Sequence, residues 1–246
     1  SLTATEVEPI VFSSDPKFRP ADVEVGPDGA IYFTDWMNPI IGHMQHNLRD
    51  PNRDRTHGRV YRVRYEGREL LKPVAVAGQP VEKLLDLLKH VDNRTRHLAR
   101  VELSGRPTNE VIPAAKKWIA ALDTGNANYE HHVLEGLWLH QSHNAVDADL
   151  LKKVLRSPEP KARAAATRVL TYWRDRVPQP LDLFSAQIND ENASVRLHAI
   201  WGLSYFTGKD AAKASEVAVE SLIHPQDGYL KFQLDETTKT LDRRKK

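Results

Sequence analysis

Apolar and polar positions alternate along this chain with two different periods, and the change comes near residue 75. Before it, short runs rich in Val, Ile, Tyr and Phe lie at 9–12, 21–25, 30–36 and 59–65, and their period of two predicts β-strands. Gly26, Pro27, Asp28 and Gly29 between the second and third runs predict a tight hairpin. Pro27 presets φ, Asp28 suits the next turn position, and Gly29 can take positive φ where the chain re-enters a strand. In the last run Tyr61, Val63 and Tyr65 share one face, with Val60, Arg62 and Arg64 on the other. The result is one small antiparallel sheet, which needs a neighbour on its apolar face.

After residue 80 the period becomes helical and the helices pair. The pattern predicts 81–89 with 92–103, 107–122 with 129–141, 147–156 with 158–174, 180–189 with 191–206, and 210–223 with 228–241. Pro107 and Pro158 near first turns, Asp190 as an N-cap, and Gly105, Gly125 and Gly208 in connections supply the boundaries. The second helices look alike, each with an Arg near its start and Ala further in. Arg163 and Arg196 stand 33 positions apart, and Arg96 and Arg163 stand 67 apart, close to twice that. This is the spacing of a two-helix solenoid unit. In 191–206 one stripe holds Val195, Ala199, Leu203 and Phe206, and an adjoining one holds Leu197, Ile200, Trp201 and Ser204. Such a wide apolar arc suits a helix packed on both sides. Trp118, Trp138, Trp173 and Trp201 fall at positions expected to fill the interior, while Ala162, Ala165 and Ala166 let helices approach. The pairs resemble HEAT-type repeats over about 80–241. The expected fold is therefore mostly α with a small β part, divided into 1–75 and 76–246.

Composition narrows the function more than it defines it. The 246 residues are 28% charged with a formal net charge of +2, so long-range attraction to nucleic acid is not expected. Seven arginines from Arg49 to Arg68 face only Asp50, Asp54 and Glu66, but apart from Tyr61 and Tyr65 they lack interleaved aromatics, and no nucleic-acid partner is assigned. No apolar run of about 18 residues exists, so no transmembrane segment is expected in the chain. No n-region and h-region of a signal peptide is visible. Cysteine is absent, which removes disulfides, thiolate metal sites, Cys nucleophiles and covalent c-type haem attachment. A phosphate-binding glycine loop, a G-x-S-x-G elbow and H-E-x-x-H are absent too.

The richest chemistry lies between the strands, over residues 35–59. Asp35, Trp36, Asn38, His43, His46, Asn47, Arg49, Asp50, Arg53, Asp54, His57 and Arg59 are the ligand- or substrate-facing candidates. His43, His46 and His57 could ligate a metal or exchange protons, but bracing of the loop with substrate contact is the favoured reading, with Asp35 and Asp54 as partners. The arginines with Asp35, Asp50 and Asp54 could hold a carboxylate, sugar or quinone, or pin the loop through internal ion pairs. Trp36 could stack on a ligand or belong to a core. In the helical part His131 and His132 point about 100° apart, while His140 and His143 at i, i+3 could chelate, with surface solvation the commoner outcome.

Residues 18–36, with Asn38-Pro39, 42–54 and His57-Gly58-Arg59-Val60-Tyr61-Arg62, resemble the final β-propeller blade of membrane-bound dehydrogenases of planctomycete and verrucomicrobial type. In that family a quinoprotein sugar-dehydrogenase-like propeller precedes HEAT-like repeats, and many members end in a c-type cytochrome domain. The resemblance implies an α-solenoid of HEAT-like pairs preceded by one blade-like sheet, and a chain that is an internal fragment of a longer protein. It implies a periplasmic, secreted or membrane-associated parent using a quinone cofactor and c-type haem, with none of either expected within this chain. Two function classes follow. One is a fragment of a quinoprotein-like dehydrogenase for a sugar or alcohol, whose helices scaffold or dock an acceptor. The other is a non-catalytic HEAT-repeat interaction module for a protein partner or other domains of the same parent. No complete catalytic set is expected in this chain.

Overall fold

A computed structural model of the chain describes residues 4–38, 50–51 and 53–244. They form two compact units, Ser1–Ala75 and Val76–Lys246.

The first unit holds three strands, β1 (Pro20–Val25), β2 (Ile31–Asp35) and β3 (Arg59–Val63), in an antiparallel sheet with β2 central. Gly26 to Gly29 makes the expected hairpin. The Gly29 N–H donates to the Gly26 carbonyl at 2.9 Å, and Gly29 sits at φ 76°. Asp28 fixes the turn by accepting from the Ala30 N–H at 3.1 Å and the Tyr32 hydroxyl at 3.0 Å, and it pairs with Arg62. Phe33 lies opposite both Val23 and Tyr61, so the pleat puts aromatic rings on one face. Phe33 and Tyr61 stack with centroids 5.0 Å apart, and Phe18 meets both edge-on.

Residues 9–12 form no strand, which corrects the pattern reading. Pro9 brings no backbone donor, and the chain turns at once through Asp15, whose carboxylate and carbonyl accept from the N–H groups of Lys17 and Phe18. Val7, Ile10 and Phe12 are exposed.

The second unit is helical throughout, with ten α-helices among the described residues. They are α1 (Val81–Leu87), α2 (Asn93–Ser104), α3 (Thr108–Ala120), α4 (Tyr129–Ser142), α5 (Ala148–Leu155), α6 (Pro160–Trp173), α7 (Pro180–Ile188), α8 (Ala193–Leu203), α9 (Lys209–Val219) and α10 (Gly228–Arg244). They make five consecutive pairs, an α-solenoid. The last first-helix ends early, in a 3₁₀ turn over Glu220–Ile223. Asp92, Asp147, Glu159 and Asn192 cap α2, α5, α6 and α8 by accepting from backbone N–H groups in the first turn. Asn192, not Asp190, caps α8, because Asp190 is committed elsewhere.

That commitment explains the repeated arginine. Each is the fourth residue of its second helix and reaches back to the carbonyls six and five positions earlier. Arg96 Nη1 donates to His90 and Val91, Arg163 Nη1 to Ser157 and Pro158, and Arg196 Nη1 to Asp190 and Glu191. The remaining guanidinium edge crosses to the next pair. Arg163 donates to Asp190 from Nε at 2.6 Å and Nη2 at 2.9 Å, and Arg196 Nη2 donates to the Pro225 carbonyl at 3.1 Å. The same side chain thus satisfies orphan loop carbonyls and ties neighbouring pairs together.

Of the four tryptophans expected inside, Trp118 and Trp173 are buried, and Trp138 and Trp201 are half-exposed. In α8 the buried positions are Val195, Ala199, Ile200 and Leu203, so the second stripe is only partly covered and Trp201 turns toward Tyr205 instead.

Candidate functional site

In the sheet unit, β2 ends at Asp35 and β3 begins at Arg59, and the register puts the two opposite each other. Asp35 is buried, at 2% exposure. Its Oδ1 accepts from the Arg19 N–H at 2.7 Å and the Met37 N–H at 2.9 Å, and its Oδ2 accepts from Arg59 Nε at 2.8 Å. Burial works to raise its pKa, but those N–H groups and the guanidinium outweigh it and hold the carboxyl below the ordinary range. Arg59 also donates to Asp15 at 2.6 Å, so it sits between two carboxylates. The loop ends are pinned where they leave the sheet.

Asp54 organises a second, exposed constellation. It accepts from the N–H groups of Thr56 at 3.0 Å and His57 at 3.1 Å, and its Oδ2 lies 2.9 Å from His57 Nδ1. The Thr56 N–H first, then the His57 imidazole, bring its pKa down to about 2. An imidazole whose Nδ1 faces a carboxylate keeps Nε2 free to accept a proton. His57 is thereby oriented for acid–base or hydrogen-bond chemistry.

The other candidates separate. Trp36 is exposed, held by its N–H to the Arg19 carbonyl at 3.1 Å, and Asn38 is buried. The Arg53 N–H donates to the Asp50 carbonyl at 3.2 Å, making a turn. His43, His46, Asn47 and Arg49 lie outside the described residues. The described part of the loop brings Asp35 to Arg59 and Asp54 to His57.

The sheet's apolar face carries a groove of about 370 Å³ floored by Phe18, Ile31, Phe33 and Val63. Among the described residues its one charged lining residue is Asp22.

In the helical unit the concentration of buried polar groups is on α4. His132 occupies the fourth position, where α2, α6 and α8 carry the ladder arginine, and burial followed by the charge of His131 lowers its pKa. One turn on, the wholly buried Glu135 gathers Arg100 Nη1 at 2.7 Å, His131 Nε2 at 3.2 Å and Arg96 Nε at 3.6 Å. This carboxylate joins α2 to α4. His140 and His143 form no chelating pair, and His140 is buried where solvation was expected. His140 Nδ1 donates to the Gly136 carbonyl at 2.9 Å, while His143 Nε2 donates to the Leu103 carbonyl at 3.1 Å.

With the repeat geometry in view, the family comparisons can be placed on it. Residues 148–234 match the model for HEAT repeats. This stretch is a HEAT-repeat segment. It covers the pairs from α5 to the first part of α10, those joined by the Arg163 and Arg196 ties. Residues 3–67 match a domain of unknown function (DUF7133), which covers the sheet and the 35–59 loop. Neither description names a dehydrogenase. Among solved structures the chain is similar to the crystal structure of Cex1p, with 14% identity and a TM-score of 0.44 over 66% of this chain and 36% of that one. The chain spans about a third of that protein's length. No curated protein matches the chain. Among the described residues no helix is long and apolar enough to cross a membrane.

Proposed function

We propose that this chain works as a docking scaffold whose HEAT repeats hold a protein partner or another domain of its parent. The observation that carries this reading is how the helical unit spends its polar side chains. The arginines of the repeat and the buried Glu135 bind loop carbonyls and neighbouring pairs, which makes a stiff, extended support. Repeat supports of this kind present surface rather than a closed reaction chamber.

A second reading has its own observation. The Asp54–His57 pair, with the residue pattern of 18–62, supports a part in a sugar or alcohol dehydrogenase of the periplasm or membrane surface. On that reading His57 meets the substrate, and any quinone or haem is held by other parts of the parent.

Deletion of 148–234 from the tagged parent, purified from its source, should remove the co-purifying proteins, while deletion of 3–67 should leave them. Loss of partners only on deletion of 3–67, or dye-linked sugar turnover by the 246-residue chain itself, contradicts the scaffold reading.

A further inference from the structure

Most arginines of the helical unit that reach solvent are answered by a carboxylate or spent on the ladder. Arg100 pairs with Glu135, Arg106 with Glu102 and Arg176 with Asp175. Three are not. Arg174 donates to the Thr171 carbonyl and Arg244 to the Ser204 carbonyl, while Arg168 is exposed with no hydrogen bond or ion pair among the described residues. These three come from α6 and α10, the second helices that pack on either side of α8. Two of them gather at the aromatic residues of that face. Arg174 stands 5.4 Å and Arg244 6.0 Å from the Tyr205 ring centroid, and Trp201 meets Tyr205 edge-on at 5.1 Å. Tyr172, one turn from Arg168, is 53% exposed. Arg168 is close enough to α8 that its charge, after burial, contributes to lowering the pKa of His198.

We propose that Arg168, Tyr172, Arg174, Trp201, Tyr205 and Arg244 form the docking face for an acidic segment of a partner protein. This inference rests on the scaffold reading and gives it a surface and a partner chemistry. Trp, Tyr and Arg are the residues that carry most binding energy at protein interfaces, and here Tyr172, Tyr205, Arg168 and Arg244 are exposed and Trp201 and Arg174 partly so. Three guanidiniums without carboxylates leave a local charge that the nearly neutral chain does not balance. Stacking on Tyr205 orients Arg174 and Arg244 so that their N–H edges remain for bidentate carboxylate contacts. The same stacking argues against a nucleic acid strand, because guanidiniums already occupy the ring that a base would use. The neighbouring α10 surface also alternates Asp235 and Glu236 with Lys239, so it offers no continuous track for phosphates.

The test is selection of short random peptides on the immobilised full chain, followed by affinity measurement on wild type and on Arg168→Gln, Arg174→Gln and Arg244→Gln. The expected winners are rich in Asp and Glu, bind more weakly as salt rises, and lose about tenfold or more in the combined variant. Arg168→Gln alone removes no internal bond, so its loss of binding is free of any folding effect. Winners that are neutral or basic, or that bind the variants as well as wild type, overturn this face while leaving the scaffold reading intact. A thymidine oligonucleotide that binds more tightly than the winners also overturns it. Failure to select any peptide also overturns this face, while loss of co-purifying proteins on deletion of 148–234 tests the scaffold reading separately.

Discussion

Arg163 holds Asp190 with two parallel hydrogen bonds, Nε to Oδ2 at 2.6 Å and Nη2 to Oδ1 at 2.9 Å, across the boundary between consecutive helix pairs. Both side chains are about nine-tenths buried. The pair belongs to the interface between repeats, so its loss should loosen the stack and not merely one helix. Removing one partner of a buried pair leaves the other charge unanswered, and Arg163→Ala should destabilise by about 3–5 kcal/mol in urea unfolding. A loss under about 1 kcal/mol would show that the tie is decorative.

Trp173 and Trp201 should respond differently to truncation. Trp173 is 1% exposed, and Trp173→Ala should cost about 3–5 kcal/mol. Trp201 is half-exposed, so Trp201→Ala should cost only about 1 kcal/mol. Equal losses in thermal unfolding would place Trp201 back in the core.

The tryptophans also mark where sequence reading stops. Helix pairing was legible because each helix carries an apolar stripe, and the 33-residue spacing of Arg163 and Arg196 reported a repeat. The purpose of that arginine was not legible, since its partners are carbonyls, which every residue carries. Trp201 was misplaced because a stripe fixes an angle but not how far the neighbouring helix covers it. In the sheet unit the alternation at Phe33 and Tyr61 read correctly, while the apolar run at 9–12 lacked the backbone donor and partner that make a strand. Asp54 as a partner for histidine was legible from their spacing of three. Asp35, the other expected histidine partner, is engaged by Arg59, a contact 24 positions away that only the sheet register creates.

Gly202 should tolerate no side chain. A Cβ there would stand 2.5 Å from Phe184 Cε1 and 2.5 Å from Thr171 Oγ1, and Phe184 is wholly buried. Gly202→Ala should therefore cost about 1–3 kcal/mol of overpacking strain. Adding Phe184→Leu should recover part of it; a double variant no more stable than Gly202→Ala would mean that the strain lies elsewhere.

Asp54 should titrate below the ordinary carboxylate range. Its carboxyl, held by Thr56 and His57, is depressed to about 2, so the folded loop binds this proton less readily than the unfolded chain. The stabilising contribution is therefore complete above the ordinary carboxylate range, near 3.9, and is lost as pH falls through about 2. Carbon NMR of the Asp54 side chain should give a midpoint near 2, moving upward in His57→Ala. A midpoint near 4 in wild type would remove the reason to regard His57 as oriented.

The docking account is tested most directly by site-specific photo-crosslinking in the source cell. A photoreactive amino acid replaces Tyr172 on the second-helix face or Asp182, exposed on the first helix α7. The account predicts a discrete protein adduct from position 172, reduced when Arg168→Gln is added, and none from position 182. Adducts of equal yield from both positions, or an adduct at 182 alone, would contradict it.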